Sequence, residues 1–303
     1  NLRGSSIEIT DQLSLVSNVH YNTAASDFAV ENYYEYIPGE GVVPMVCYGS
    51  DIHVAASAAR VYMLESEAGN TVCGIVNGGF FTLASGIPLG PVIKEGTVRK
   101  GGYSESVVAF DESGNVRFTD PQLNIRLTFP ERGIFLDKVN FNELVSKNNG
   151  ICLYSDAFAD TNGASFETYN VIIGVVSGLP EIGGVVEGFV ERSAYSAEKA
   201  ELEDGKYMIS MAADTPYFSA LSQLQNLAPA ESINIEFIAD PEFIDIKNAL
   251  GFNKWLVKDG IIEDGLEKSS RAPRTAAGIK EDGSFVLYTV DGRQKNYSMG
   301  FSM

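Results

Sequence analysis

The chain is poor in the residues from which metal and redox sites are usually built: its 303 residues hold three cysteines, two histidines and one tryptophan. Cys47, Cys73 and Cys152 stand far apart and make no paired ligand spacing, which argues against a zinc framework. Cys73 and Cys152 lie in the apolar runs TVCGIV and GICLYS, where a small buried hydrophobe is the simplest role. One disulfide with one free thiol stays open. His20 and His53 show no partner pattern and read as ordinary core or surface histidines. Positive charge is scarce as well, with 22 Lys and Arg against 40 Asp and Glu and a formal net charge of -18. So little positive surface argues against broad binding to nucleic acid or anionic membranes, and any phosphate must meet a local cluster of arginines. No run approaches the ~20 apolar residues of a membrane-spanning helix. The opening Asn1-Leu2-Arg3-Gly4 carries no apolar signal core, so an exported protein would already have lost its signal.

What is present reads as a soluble globular chain, with 45% hydrophobic and 20% charged residues. Strands are expected at Leu13 to Asn18, Asp27 to Tyr36, Val61 to Ser66 and Thr71 to Val76, from β-branched and aromatic content between Gly/Asn punctuation. Val107 to Phe110 and Val116 to Phe118 read as a hairpin around Asp111 to Asn115. Further strands are expected at Val171 to Val176, Val185 to Val190, Tyr207 to Met211, Ile233 to Ala239 and from Trp255, with Ala197 to Asp204 as a solvated loop. Helices are expected at Ile52 to Ala59, Glu143 to Lys147 and Phe218 to Leu227, the last with Leu221, Leu224 and Leu227 on one face. No repeat or low-complexity linker divides the chain. The expected class is α+β: a single sheet-rich domain of mixed β-sheets with a few packed helices over residues 1–303.

Chemistry gathers near the end. Ser270-Arg271-Ala272-Pro273-Arg274-Thr275-Ala276-Ala277-Gly278 leads into a hairpin that turns at Glu281-Asp282-Gly283 and leaves through Asp291-Gly292-Arg293. Because the two strands pair across a short turn, Arg274, Asp291 and Arg293 fall at one sheet end. Two guanidinium forks and a carboxylate suit an anionic oxygen substrate such as a phosphate ester; structural salt bridges are the competing account.

These stretches, taken in order, resemble a family. VNGGFF (Val76 to Phe81), then Gly86 to Gly96, then Trp255 to Gly260, then Arg274-Thr275-Ala276-Ala277-Gly278, then Val290-Asp291-Gly292-Arg293 is similar to the phosphodiester glycosidases. Weaker likeness runs through Val139-Asn140 and Ile151 to Asp156, and the resemblance covers roughly Ile7 to Met303. It implies hydrolysis of a sugar-1-phosphodiester at the glycosidic C–O bond, releasing a sugar such as N-acetylglucosamine, by an extracellular or cell-surface protein. In the family a Leu-Asp-Gly-Gly-Gly-Ser strand end follows later. Here Gly300-Phe301-Ser302-Met303 closes the sequence, so a domain truncated at its C-terminal end is expected. The alternative is a non-catalytic glycan or glycan-phosphate binding domain.

Site expectations follow from the resemblance. Asn77, Gly78 and Gly79 contact substrate together with Arg274, Thr275 and Arg293, and Asp291 is one catalytic or orienting carboxylate. The second carboxylate comes from the segment that follows in the family or from Asp156, although YSDAFADTNG also reads as an Asx-rich turn. A phosphodiester is already a good leaving group, so charge neutralisation by arginine matters more than acid catalysis. No metal and no cofactor is expected. A calcium site of carboxylates and carbonyls would leave little trace in sequence, and nothing indicates one.

Overall fold

The computed structural model describes residues 2–101, 106–266 and 269–303. In chain order the elements begin with β1 (Arg3–Thr10), β2 (Leu13–Asn22), β3 (Asp27–Tyr36) and helix α1 (Ala58–Glu67). Next come β4 (Val92–Lys94), β5 (Thr97–Lys100), β6 (Val107–Asp111), β7 (Val116–Thr119), β8 (Asn124–Phe129), β9 (Ile134–Leu136), β10 (Asn140–Phe141) and β11 (Cys152–Ser155). The remainder is β12 (Thr168–Ser177), β13 (Val185–Ser196), β14 (Lys206–Ala212), helix α2 (Phe218–Gln225), β15 (Ser232–Ile238), β16 (Ile246–Gly251), β17 (Val257–Lys258), β18 (Ile261–Ile262), β19 (Arg274–Ile279) and β20 (Phe285–Val290). They assemble into an eight-stranded sheet ordered β10-β11-β14-β12-β13-β15-β8-β9 and two five-stranded sheets, β1-β2-β3-β20-β19 and β5-β4-β16-β6-β7, with β17-β18 as a separate pair.

The α+β expectation is corrected: the protein is mostly β, with 43% of residues in strands and 8% in helices. Helices of ten and eight residues are too short to form a layer of their own. The corrections are local. Val61 to Ser66 is helical because Ser57 caps the segment, its hydroxyl accepting from the Arg60 amide, and because Val61 and Glu65 share a buried face one turn apart. Ile52 to Ala59 is helical only at Ala58 and Ala59, and Glu143 to Lys147 forms no helix after Asn142, whose φ is 52°. Thr71 to Val76 joins no ladder. The expected β2 and β3, the β6–β7 and β19–β20 hairpins, β12 to β15 and α2 are all present.

The eight-stranded sheet is covered on both faces, which is why β12 reads TYNVIIGVV with no strict alternation. Ile125, Leu127, Val171, Ile209, Ile235 and Phe237 on one side pack with Leu221 and Leu224 of α2. Cys152, Tyr154, Ile172 and Met208 form a second cluster. The three cysteines are free. Burial pushes the Cys152 thiol up to about 12, and burial followed by the neighbouring Glu65 does the same to Cys47. No helix among the described residues is long and apolar enough to cross a membrane.

Candidate functional site

The site is built where the two ends of the chain share a sheet. β20 pairs with β3 and with β19, so β19 is an edge strand carrying Arg274 opposite Val290 and Thr275 opposite Thr289. Successive strand residues point to opposite faces. Arg274 and Thr275 therefore leave the edge on opposite sides.

On the Thr275 side lies the stretch Val76 to Phe81. It follows a coil that crosses the inner face of the sheet, where a methyl on Gly74 would come 2.7 Å from the Tyr34 ring. Gly78 and Gly79 pack on the end of β16: a Cβ on Gly78 would overlap Leu250 Cδ2, and one on Gly79 would lie 2.5 Å from the Gly251 carbonyl oxygen. Their small size is thus explained by protein packing, since neither has a positive φ. Beyond them the chain folds back: Phe81 bridges Pro88, Leu89 N donates to Phe80 O at 2.8 Å, and Thr82 N donates to Ile87 O at 2.8 Å. This clamp joins the first two motifs into one unit and leaves Phe80 61% and Phe81 41% exposed.

Asn77 joins that unit to the edge strand. The Thr275 hydroxyl donates to Asn77 Oδ1 at 2.8 Å, linking motifs 198 positions apart. Both residues are exposed.

The hairpin end adjoins them. The Asp291 amide donates to Val30 O at 2.9 Å, and its Oδ2 accepts from the Tyr297 hydroxyl at 3.1 Å. Gly292 packs so closely on Ala272 and Pro273 that a Cβ would overlap their backbone, which brings the turn beside the entry to β19. Arg293 follows with φ 59°, exposed and with no ion pair among the described residues. Arg274 donates to Ser270 O at 3.2 Å, while its buried Nε has no partner. Two guanidinium groups with donors to spare therefore flank the end of one hairpin.

Asp156 lies elsewhere. It follows β11 in the eight-stranded sheet, is exposed, and accepts from the Gly205 amide at 2.8 Å. That bond ties the turn after β11 to the loop before β14, 49 residues on, and is not the local Asx bond that the sequence pattern offered.

Two groups carried no sequence signal. Tyr297 reaches Asp291 only because Ser298 folds the tail back, its buried hydroxyl donating to Asp291 O at 2.5 Å and accepting from Val30 N at 2.9 Å. On the Arg274 face, Glu31 is held by Asn18 at 2.9 Å and Tyr288 at 2.8 Å, with His20 Nε2 2.9 Å from its carboxylate. Burial opposes ionisation of Glu31, but His20, Tyr288 and Asn18 together outweigh it and hold the carboxyl below its ordinary range. Two surface concavities, one around His20, Arg271 and Phe301 and one around Pro38, Glu40 and Asn115, include none of Asn77, Thr275, Asp291 or Arg293. The hydrogen-bonded junction, being the place where separate motifs converge, is the better guide to chemistry. No group of three or more His, Cys, Asp or Glu side chains with metal-holding geometry occurs among the described residues.

The part of the chain that carries the β19–β20 hairpin falls within a family match. Residues 181–303 match the phosphodiester glycosidase family. The matched segment runs from before β13 to the last residue and contains Arg274, Thr275, Asp291 and Arg293; Asn77, Gly78 and Gly79 lie outside it. No curated protein matches the chain. Among solved structures, a hypothetical protein from Synechocystis superposes with a TM-score of 0.73 at 16% identity, covering 100% of this chain and 54% of its own. A protein from Burkholderia pseudomallei K96243, named for an expected export, gives 0.64 at 15% identity, covering 91% and 64%. At these identities the likeness is one of fold. The chain spans about half the length of the Synechocystis protein.

Proposed function

We propose that residues 1–303 form one phosphodiester-glycosidase-like domain that hydrolyses a sugar-1-phosphodiester, cleaving the glycosidic C–O bond and releasing a sugar such as N-acetylglucosamine. The observation that carries this reading is the 2.8 Å bond from Thr275 to Asn77, which draws the VNGGFF clamp against the strand that the family match covers. Around the edge of β19, Arg274 and Arg293 neutralise the phosphate and Asn77 and Thr275 contact the substrate, while Gly78 and Gly79 let the clamp pack closely enough to hold Asn77 there. Asp291, oriented by Tyr297, is the carboxylate nearest this chemistry, acting at or near the anomeric carbon. Asp156 is given no part, because its carboxylate caps a loop on another sheet. Exposed Phe80 and Phe81 offer an apolar face to a sugar ring.

Charge carries most of the catalysis in this scheme. The departing phosphate needs little protonation, so a guanidinium that stabilises its developing charge contributes more than a general acid. The reading calls for no cofactor, and it fits an extracellular or cell-surface protein acting on a phosphorylated glycan or surface polymer.

The test is release of free sugar from an N-acetylglucosamine-α-phosphomethyl ester by the 303-residue chain and by the product of the whole gene. Arg293→Ala should lower kcat/KM by about 100-fold, the scale of losing one transition-state donor. Release that is unchanged in Arg293→Ala and Arg274→Ala alike would remove the arginines from the mechanism. Binding of the ester without any release would instead favour a glycan-phosphate binding domain.

A further inference from the structure

Resting on the function just proposed, we infer that the β17–β18 hairpin is an aglycone site: it takes an apolar chain esterified to the phosphate of the sugar-1-phosphodiester. The hairpin carries the stretch Trp255 to Gly260, which the proposed chemistry leaves unused. Val257 pairs with Ile262 and Lys258 with Ile261, and no other strand joins them among the described residues. Asp259 and Gly260 turn the ribbon with φ of 53° and 76°, the left-handed pair of a two-residue hairpin turn. Ile261 is 71% exposed, Ile262 70%, Val257 51% and Leu256 36%. Because neighbouring strand residues point to opposite faces, the exposure of both Ile261 and Ile262 leaves neither face of the ribbon covered by the protein. None of the four side chains belongs to a buried cluster. Folding stability therefore does not account for them.

A two-stranded ribbon is marginal in water by itself, and this one is held at its root. The Trp255 ring meets Phe252 edge to face at 5.0 Å and lies 5.8 Å from Phe118, which is 6.3 Å from the buried Phe285. Lys254 Nζ donates to Gly265 O at 2.8 Å and closes the base. The root stands at the candidate site. Phe252 follows Gly251, on which Gly79 packs, and beyond the ribbon Ser270 O accepts from Arg274 at 3.2 Å. From the same junction the clamp sends out Leu83, 89% exposed, and Leu89, 55% exposed. Aliphatic side chains thus rise from the place where two guanidinium groups have donors to spare, and a ligand with an anionic head and an apolar tail answers both. A membrane fits less well: Lys258 and Asp259 at the tip would enter hydrocarbon first, and the net charge of -18 opposes anionic lipid. A protein partner needs about 20–30 residues a side, far more than this ribbon offers. In the hydrolysis, water bonds to C1 and the C1–O bond breaks with its electron pair left on the phosphate. One proton passes to solvent, and the apolar chain departs as its phosphate monoester.

The test compares the N-acetylglucosamine-α-phosphomethyl ester with the corresponding phospho-octyl ester, below any micelle-forming concentration. The octyl ester should exceed the methyl ester in kcat/KM by about 30-fold, the scale of burying two to three methylenes. The double variant Ile261→Ser/Ile262→Ser changes only exposed side chains and should bring that ratio below about fivefold. Phe218→Ser, at a residue 71% exposed on α2, should leave the ratio unchanged. Cleavage of both esters with a ratio near one leaves the proposed function standing and overturns this inference, and so does a high ratio that the double variant keeps. If neither ester is cleaved, the proposed function fails, and titration calorimetry of the intact chain with octyl phosphate and methyl phosphate decides the apolar site separately. Tighter binding of octyl phosphate that the double variant loses retains that site; equal binding removes it. Sedimentation with neutral phosphatidylcholine vesicles, or a dimer in sedimentation velocity, that the double variant abolishes would assign the hairpin to a membrane or to a second copy and overturn the aglycone reading.

Discussion

The eight-stranded sheet and the sheet formed by the chain ends solve different problems with the same kind of strand. In the first, β8 alternates wholly buried Ile125, Leu127 and Phe129 with partly covered polar partners, and β12 is buried over seven consecutive residues. In the second, β1 has seven exposed residues of eight, and β19 alternates only between exposed and half-buried. The first sheet offers a large apolar area to stabilise the fold. The second joins strands from opposite ends of the chain and leaves polar side chains reachable along its edge. Stability is thus concentrated away from the candidate site, and the site rests on a thin sheet tied down by particular hydrogen bonds.

Matched deletions in the two cores probe that contrast most strongly. Phe141 is fully buried in β10, with its ring 5.3 Å from that of Phe237, and Phe141→Ala should cost about 4 kcal/mol. Phe285 is also fully buried, but its cluster holds only Leu13, Tyr36 and Phe110 as buried companions, so the site should collapse more easily. Phe285→Ala should cost about 3 kcal/mol in chemical denaturation. If Phe285→Ala proves the costlier of the two, the division of labour between the sheets is wrong.

How far the sequence foretold this arrangement depends on whether an element is shaped by its neighbours in the chain. The β19–β20 hairpin was legible because Glu281-Asp282-Gly283 turns it and Phe285 to Val290 is rich in β-branched and aromatic residues. The closeness of Arg274 to Asp291-Gly292-Arg293 followed from that pairing. What period-2 reasoning also implies, that Arg274 and Thr275 face opposite ways, became significant only once Asn77 was seen on one side. Val61 to Ser66 misled because its Val and Tyr favour strands, whereas the Ser57 cap and the contact of Glu65 with Lys94 select a helix. Thr71 to Val76 misled for a tertiary reason: Gly74 packs against the Tyr34 ring and Cys73 against the small core cluster, without a ladder partner for the stretch. Tyr297 and Ser298 were invisible, because their role depends on the tail folding back along β3.

A smaller effect asks whether the glycines of the clamp serve packing or substrate. Gly79→Ala would set a methyl against the Gly251 backbone, which cannot step aside as a side chain can. A cost of about 2 kcal/mol is expected in thermal or chemical unfolding. Gly78→Ala should cost less, since its obstacle is the end of the flexible Leu250 side chain. Should Gly79→Ala retain wild-type stability and lose sugar release, the glycine would be a ligand contact and the packing account would fail.

The smallest effect concerns the ionised carboxylate that braces the sheet of the chain ends. Glu31 is held by Asn18 and Tyr288 with His20 alongside, and its pKa in the folded protein lies below the ordinary 4.5. A depressed carboxyl pKa contributes stability that is present above the unfolded value and lost as pH falls through the folded one. Glu31→Gln should therefore destabilise the protein by about 1 kcal/mol at pH 7, since the side chain is mostly but not wholly covered. Below pH 4.5 the wild type gives up this contribution while the glutamine variant has none to lose, so the two unfolding curves should converge on acidification. A gap between wild type and Glu31→Gln that stays constant from pH 7 to well below pH 4.5 would show that Glu31 braces the sheet through its shape alone. The contrast with the eight-stranded sheet, which offers mainly apolar burial such as that of Phe141, would then lose its electrostatic half.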